Sequence, residues 1–215
     1  MGRTRASVGE PLGRDEIVDA AMRVTKRSGL DRLTMRALAA ELDVTPMAVY
    51  HHVQNKAELL QLVADAAVAG VAVPPPETGP WEARLAALVR ELRARLAEFP
   101  GVGPYLLGSD VPTPGADRVV ESGIAMLVDA GFGEEEATLA FTAVHNYLLG
   151  RLYVEASLRG PRLRRLRRRR SAMREPSIPR LSADRYFEYG LEHLIRGLAT
   201  RSSGDCGQGV AGFPE

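Results

Sequence analysis

The chain has 215 residues, 45% hydrophobic and 26% charged. That composition is globular rather than disordered or collagen-like, and the length fits one large domain or two modest ones. The single cysteine, Cys206, excludes a disulfide framework and a cysteine-based zinc site, and the formal net charge of +1 gives no functional signal by itself.

The total charge conceals segregation. Residues 1–72 balance nine basic against nine acidic side chains, and residues 73–158 carry six against twelve. Residues 159–174 hold nine arginines and no acid. No apolar run reaches the roughly 18 residues of a membrane-spanning helix. The stretch from Met1 to Pro11 lacks the apolar core of a secretory signal, so a cytoplasmic protein with no membrane partner is expected.

The predicted elements are all helical. Residues 1–12 read as an arm. Ile17, Ala20, Ala21 and Val24 recur at helical spacing, with acids early and bases late, which suits the helix dipole. Ser28-Gly29 supplies a stop, with Gly29 as a left-handed cap. Thr34 caps a short second helix through about Leu42, and Asp43-Val44 forms a tight connection. Thr45-Pro46 is a start signal, a hydroxyl cap followed by proline at the first helical position. The third helix runs to about His52. Asn55 and Glu58 read as a capping box that opens a fourth helix ending near Gly70.

Prolines 74–76 and Gly79-Pro80 mark a linker at about 71–80. Trp81, Leu85, Leu88, Leu92, Leu96 and Phe99 trace an apolar helical stripe. Segment 101–115, rich in glycine and proline, allows one short turn of helix. Further helices are expected from Val119 to Ala130 and from Glu134 to about Leu158. Residues 159–180 read as a polybasic loop, Ser182 as the cap of a last helix, and residues 201–215 as a disordered tail. The glycines at 207, 209 and 212 match a dinucleotide-binding pattern by letter only, with no strand before them and no helix after.

Three short helices with a tight turn before the third describe a helix-turn-helix at about 34–53. Thr45, Met47, Tyr50, His51 and His52 lie where side chains can reach bases and phosphates, and Lys56 sits at the next helix start, where a cation and free amides can hold a phosphate. His51 and His52 are a poor metal pair, because adjacent positions on a helix point about 100° apart. Neither a metal nor a cofactor is expected. No nucleophile elbow, paired-carboxylate motif or phosphate-binding glycine loop is visible.

The run from Leu33 to Ala39, then Val44 to Val53, then Asn55 to Leu60 resembles the DNA-binding domain of TetR-family transcriptional regulators. The segment Phe187 to Glu192 is similar to the last helix of that family's regulatory domain. The resemblance implies an all-α fold, with a DNA-binding domain at 13–70 and an effector-binding and dimerisation domain at 80–200. It implies that Arg36 reads a guanine edge, that Tyr50 and Lys56 contact the phosphate backbone, that His52 matches the family's histidine two residues on, and that base contacts concentrate at Thr45, Pro46, Met47 and Ala48; Thr34, the cap of the second helix, joins these as a DNA-side candidate. Thr45-Pro46-Met47 is not the tetracycline-reading repressor's triplet, so operator sequence does not carry over. Where tetracycline-binding members carry a drug-contacting histidine, this chain has Ala72.

The partners implied are double-stranded operator DNA, a small-molecule effector and a second copy of the chain. Tyr105, Thr142, His145 and Asn146, polar groups on otherwise apolar helices, are the candidate effector ligands. The expected function is a ligand-responsive regulator, a repressor rather than an activator. The rival is a small helical ligand-binding protein or enzyme with a vestigial DNA-binding domain.

Overall fold

The computed structural model describes residues 12–109, 113–159 and 181–202. The expected arm, almost all of the arginine-rich segment and most of the tail lie outside the described residues. Within them the secondary structure is helical, with no strand, and no helix is long and apolar enough to cross a membrane.

The amino-terminal helices are α1 (Arg14–Ser28), α2 (Met35–Leu42), α3 (Pro46–Tyr50) and α4 (Lys56–Ala69). They close on a core of Ile17, Ala20, Val24, Leu33, Leu38, Val49, Val53, Leu59 and Val63. Those residues are spaced so that each helix turns one apolar stripe inward while its charges stay in water. The second half holds α5 (Trp81–Glu98), α6 (Val102–Leu107), α7 (Pro114–Asp129), α8 (Glu134–Arg159) and α9 (Ala183–Ser202). Leu85, Leu88, Leu92, Leu96 and Phe99 of the predicted stripe are all buried, and Trp81 packs edge-on against Phe132 at 5.2 Å. One continuous apolar core runs through both halves, and α4 contacts α5, α6 and α7.

Local geometry follows the caps closely, with four departures. Glu58 does reach back, but its Oε2 accepts the N–H of Gln54 at 2.8 Å rather than that of Asn55. Asn55 still caps α4 by accepting the Glu58 N–H at 3.0 Å. Gly29 has the positive φ expected of it, +85°, but its ψ of 158° is extended. The chain therefore leaves α1 straight into a 3-10 turn at Leu30–Arg32, whose first amide donates to the Pro100 carbonyl at 2.7 Å. Helix α3 ends at Tyr50, because His51 and His52 form a turn. Helix α7 begins at Pro114 rather than Val119. Thr113-Pro114 repeats the chemistry of Thr45-Pro46, and the Thr113 hydroxyl oxygen accepts the Ala116 N–H at 3.3 Å.

The two halves are docked at a corner. Lys26 and Glu98 form an ion pair at 2.6 Å beside the Leu30–Pro100 hydrogen bond. Gly101, at φ +96°, lies so near Leu30 that a Cβ there would meet the leucine's Cβ at 3.0 Å.

Candidate functional site

The helix-turn-helix is built by capping. The Thr34 hydroxyl oxygen accepts the Ala37 N–H at 3.1 Å and opens α2. Helix α2 stops because Asp43 adopts the left-handed conformation (φ 56°, ψ 42°), which lets the Val44 N–H return to the Ala39 carbonyl at 3.0 Å. The Thr45 hydroxyl oxygen accepts the Ala48 N–H at 3.3 Å and opens α3 immediately. In both caps the hydroxyl proton remains available to a phosphate oxygen. Val49 and Leu38, each fully buried, hold α3 against α2.

That anchoring turns the rest of α3 outward. Met47 is 67% exposed and Tyr50 49%, two large side chains left uncovered on one short helix. Thr45, Pro46 and His51 are exposed as well, while Ala48 and His52 are half-buried. Arg36 is exposed on α2 and Lys56 at the start of α4. The structure therefore gathers the ten DNA-side candidates along the α2–turn–α3–α4 edge.

Charge pairing separates these cations from their neighbours. Arg23 and Arg27 both bind Glu41, at 3.1 and 2.8 Å, and hold its carboxyl below the usual carboxylate range, Arg27 more strongly. Arg14 pairs with Glu58 at 3.3 Å and Lys26 with Glu98. Among the described residues of the first four helices, Arg32, Arg36 and Lys56 are the cations without an ion pair. Two of those three flank the exposed face of α3. An unpaired cation can neutralise a phosphate or read a guanine edge without first breaking a protein contact.

A partly open cavity of about 430 Å³ lies between α4, α5, α6, α7 and α8. Val68, Leu92, Leu96, Leu106, Ala116, Val119 and Leu149 form its apolar wall, and Ser109, Thr113 and His145 supply the polar groups. Among the described residues, no carboxylate, lysine or arginine lines it. His145 stacks on Phe141 at 5.9 Å, and burial pushes its imidazole below its ordinary value, which favours the neutral ring.

The four effector candidates are not brought together. His145 lines the cavity, but Thr142 and Asn146 face solvent on α8. Tyr105 lines a separate groove of about 670 Å³, shared by the Leu30 turn, the α5–α6 corner, the end of α8 and Lys56. Ala72 lies beyond the end of α4, exposed and away from the cavity wall. Sequence reading missed Ser109 and Thr113. The overlooked signal for Thr113 was its proline, which marks a helix start inside a segment otherwise read as loop.

Comparison with known proteins places this arrangement. Residues 17–63 match the family described as bacterial regulatory proteins, tetR family, and residues 73–202 match the tetracyclin repressor-like C-terminal domain. An HTH-type transcriptional regulator of Saccharopolyspora erythraea is 32% identical over 205 residues, spanning 87% of this chain and 85% of that protein. The structure of the TetR family protein ActR of Streptomyces coelicolor in complex with actinorhodin superposes with a TM-score of 0.75 at 28% identity, covering 91% of this chain and 100% of the other. BioQ with its natural double-stranded DNA operator superposes with a TM-score of 0.66 at 27% identity, covering 88% and 99%. The family and the Saccharopolyspora relative are transcriptional regulators, not enzymes. With family models matched in both halves and a regulator 32% identical along most of its length, the chain belongs to the TetR family of transcriptional regulators.

Proposed function

We propose that this regulator is a repressor that binds a pseudo-palindromic operator as a homodimer and leaves it when an uncharged small molecule fills the 430 Å³ cavity. The observation that carries the DNA half is the pairing pattern: Arg36 and Lys56 stand free on either side of α3, while Arg14, Arg23, Lys26 and Arg27 are neutralised. Arg36 is the base-reading cation and Lys56 the phosphate-binding one. Thr34, Thr45, Tyr50 and His51 add backbone contacts, and Met47 packs on base edges.

The dimer rests on the outer face of α8 and α9. Leu139, Asn146 and Tyr153 on α8 are exposed at helical spacing, as are Tyr186, Tyr189 and His193 on α9. A Cβ at Gly150 or Gly197 would meet nothing, so both helices offer open, small-residue seams. Paired on a two-fold axis, these helices set two copies of α3 about one DNA turn (roughly 34–36 Å) apart. Asn146 then serves this interface rather than the effector.

An uncharged effector follows from the cavity wall. A carboxylate or ammonium would lose part of its hydration there and find no counter-charge among the described residues, whereas a hydroxyl or carbonyl finds His145, Thr113 or Ser109. ActR in complex with actinorhodin is a precedent for a small-molecule ligand in a similar protein. The test is selection of duplexes from random DNA by the full-length protein at about 150 mM salt, followed by a promoter reporter carrying the selected site. A two-fold symmetric site that silences the reporter supports the proposal. Enrichment of no sequence over the pool refutes the DNA reading.

A further inference from the structure

The corner that docks the two halves leaves a groove beside it. A space of about 670 Å³ opens between the Leu30 turn and the start of α4 on one side, and the α5–α6 corner and the end of α8 on the other. That is within the range of small-molecule sites, about 300–1,000 Å³. Leu30 and Pro100, joined by their 2.7 Å hydrogen bond, both line it. Leu60, Leu96 and Leu152 supply apolar wall, and Pro100, Pro104 and Tyr105 add flat faces. Flat faces suit a ring system better than a flexible chain, because a rigid body loses less freedom on binding. Leu96 also lines the 430 Å³ cavity, so α5 stands between the two spaces.

The charges on the groove do not cancel. Glu155 is buried, and its carboxylate is already taken by Arg93 at 3.1 Å and Arg151 at 3.6 Å, neither of which lines the groove. Asp31, Arg32 and Lys56 are exposed on the lining and make no ion pair with a described residue. Asp31 offsets one of the two cations, and one positive charge is left over. The cavity on the far side of α5 has no charged side chain among the described residues. The two spaces therefore select ligands of different charge, a neutral molecule in one and a single anion in the other.

We propose that this groove is a second small-molecule site, for an aromatic carboxylate whose ring lies against Leu96, Leu152 and Tyr105 and whose anion is held by Lys56 and Arg32. The ring removes apolar surface from water, and the two cations replace the carboxylate's lost hydration with charge-assisted hydrogen bonds. The consequence for DNA rests on the operator reading proposed above. Lys56 has one ammonium, and an anion already on it repels a second. Ligand and operator phosphate then compete directly for Lys56, with no rearrangement of the helices.

The experiment titrates full-length protein with 2-naphthoate and 1-pyrenecarboxylate, each beside its uncharged amide, at about 150 mM salt. At least one carboxylate is expected to bind saturably below about 1 mM and at least fivefold more tightly than its amide. Lys56→Ala and Arg32→Ala should each weaken that binding at least fivefold. Arg36→Ala, which removes an exposed cation outside the groove, should leave it unchanged. Ala97→Phe fills the groove from the exposed end of α5, removes no charge and lies off the cavity wall, so it should abolish binding and keep operator affinity. Ala156→Phe does the same from the opposite wall if the first variant fails to fold. At ten times its dissociation constant, the carboxylate should weaken wild-type binding to the selected duplex about tenfold or more, and leave the Ala97→Phe protein on its DNA. No saturable binding of either carboxylate, equal binding of carboxylate and amide, or binding unaltered by both phenylalanine variants would overturn the site. An equal loss in Arg36→Ala would also do so, because that is general attraction of anions. Binding that leaves the operator in place would overturn the sharing of Lys56. If wild type selects no duplex, the operator reading has failed, and titration of the free protein still decides whether the groove is a site.

Discussion

Replacing Lys56 by alanine tests the DNA-facing edge most directly, because the structure supplies its control. Lys56 is exposed and makes no ion pair with a described residue, so its loss should change folding stability by no more than about 0.5 kcal/mol. If it neutralises one phosphate, the slope of log affinity against log salt falls by about 0.9. Between about 50 and 200 mM salt, a slope difference of that size means the variant loses roughly three- to fourfold less affinity than wild type. Lys26 carries the same charge in the same half of the molecule, yet it is held by Glu98 at 2.6 Å. Lys26→Ala should therefore leave the slope alone, losing at most the roughly 0.2–1 kcal/mol of an exposed ion pair. Fluorescence anisotropy on a labelled operator across four salt concentrations measures both. Equal slopes for wild type and Lys56→Ala, or an equal drop in both variants, would refute the division into paired and free cations.

Three further outcomes are expected. Arg36→Ala should cost about 1–3 kcal/mol on the selected operator, as lost discrimination at one base pair, read from affinities for single-substitution operators. Gly123→Ala drives a methyl group into the Phe141 ring between α7 and α8, and should lower stability by about 1–3 kcal/mol in urea denaturation; an unchanged midpoint would mean the two helices are not packed this tightly. Burial lowers the His145 pKa, so the unfolded chain binds this proton at a higher pH than the folded one. Its contribution is then fully present above about pH 6.5 and declines as pH falls below that, and His145→Gln should flatten the decline in thermal midpoint; parallel curves for the two proteins would show that the ring is not desolvated.

The sequence alone determined what depends on neighbours along the chain. Helix starts at Thr34, Thr45, Asn55 and Ser182 are visible because each cap needs only a side-chain oxygen and an amide three residues on, and all four form. The stripe on α5 is legible for the same reason, since its period is a property of one helix. So is the helix-turn-helix, whose turn is short enough to be fixed by Asp43 and the caps around it.

Only the tertiary structure decided which polar groups meet. Tyr105, Thr142, His145 and Asn146 look equivalent as polar residues on apolar helices, yet one lines the cavity, one an interdomain groove, and two face solvent. The choice depends on how α6 and α8 rotate against α4 and α7, which no local pattern encodes. Pairing of the basic residues is equally remote. Nothing in the sequence shows that Arg27 is paired and Arg36 is not, because Glu41 takes up Arg27 only once α1 lies across α2. The polar contacts at the end of α4 are more remote still, since Asp65, Arg95 and Arg118 belong to three helices and come together only where those helices converge.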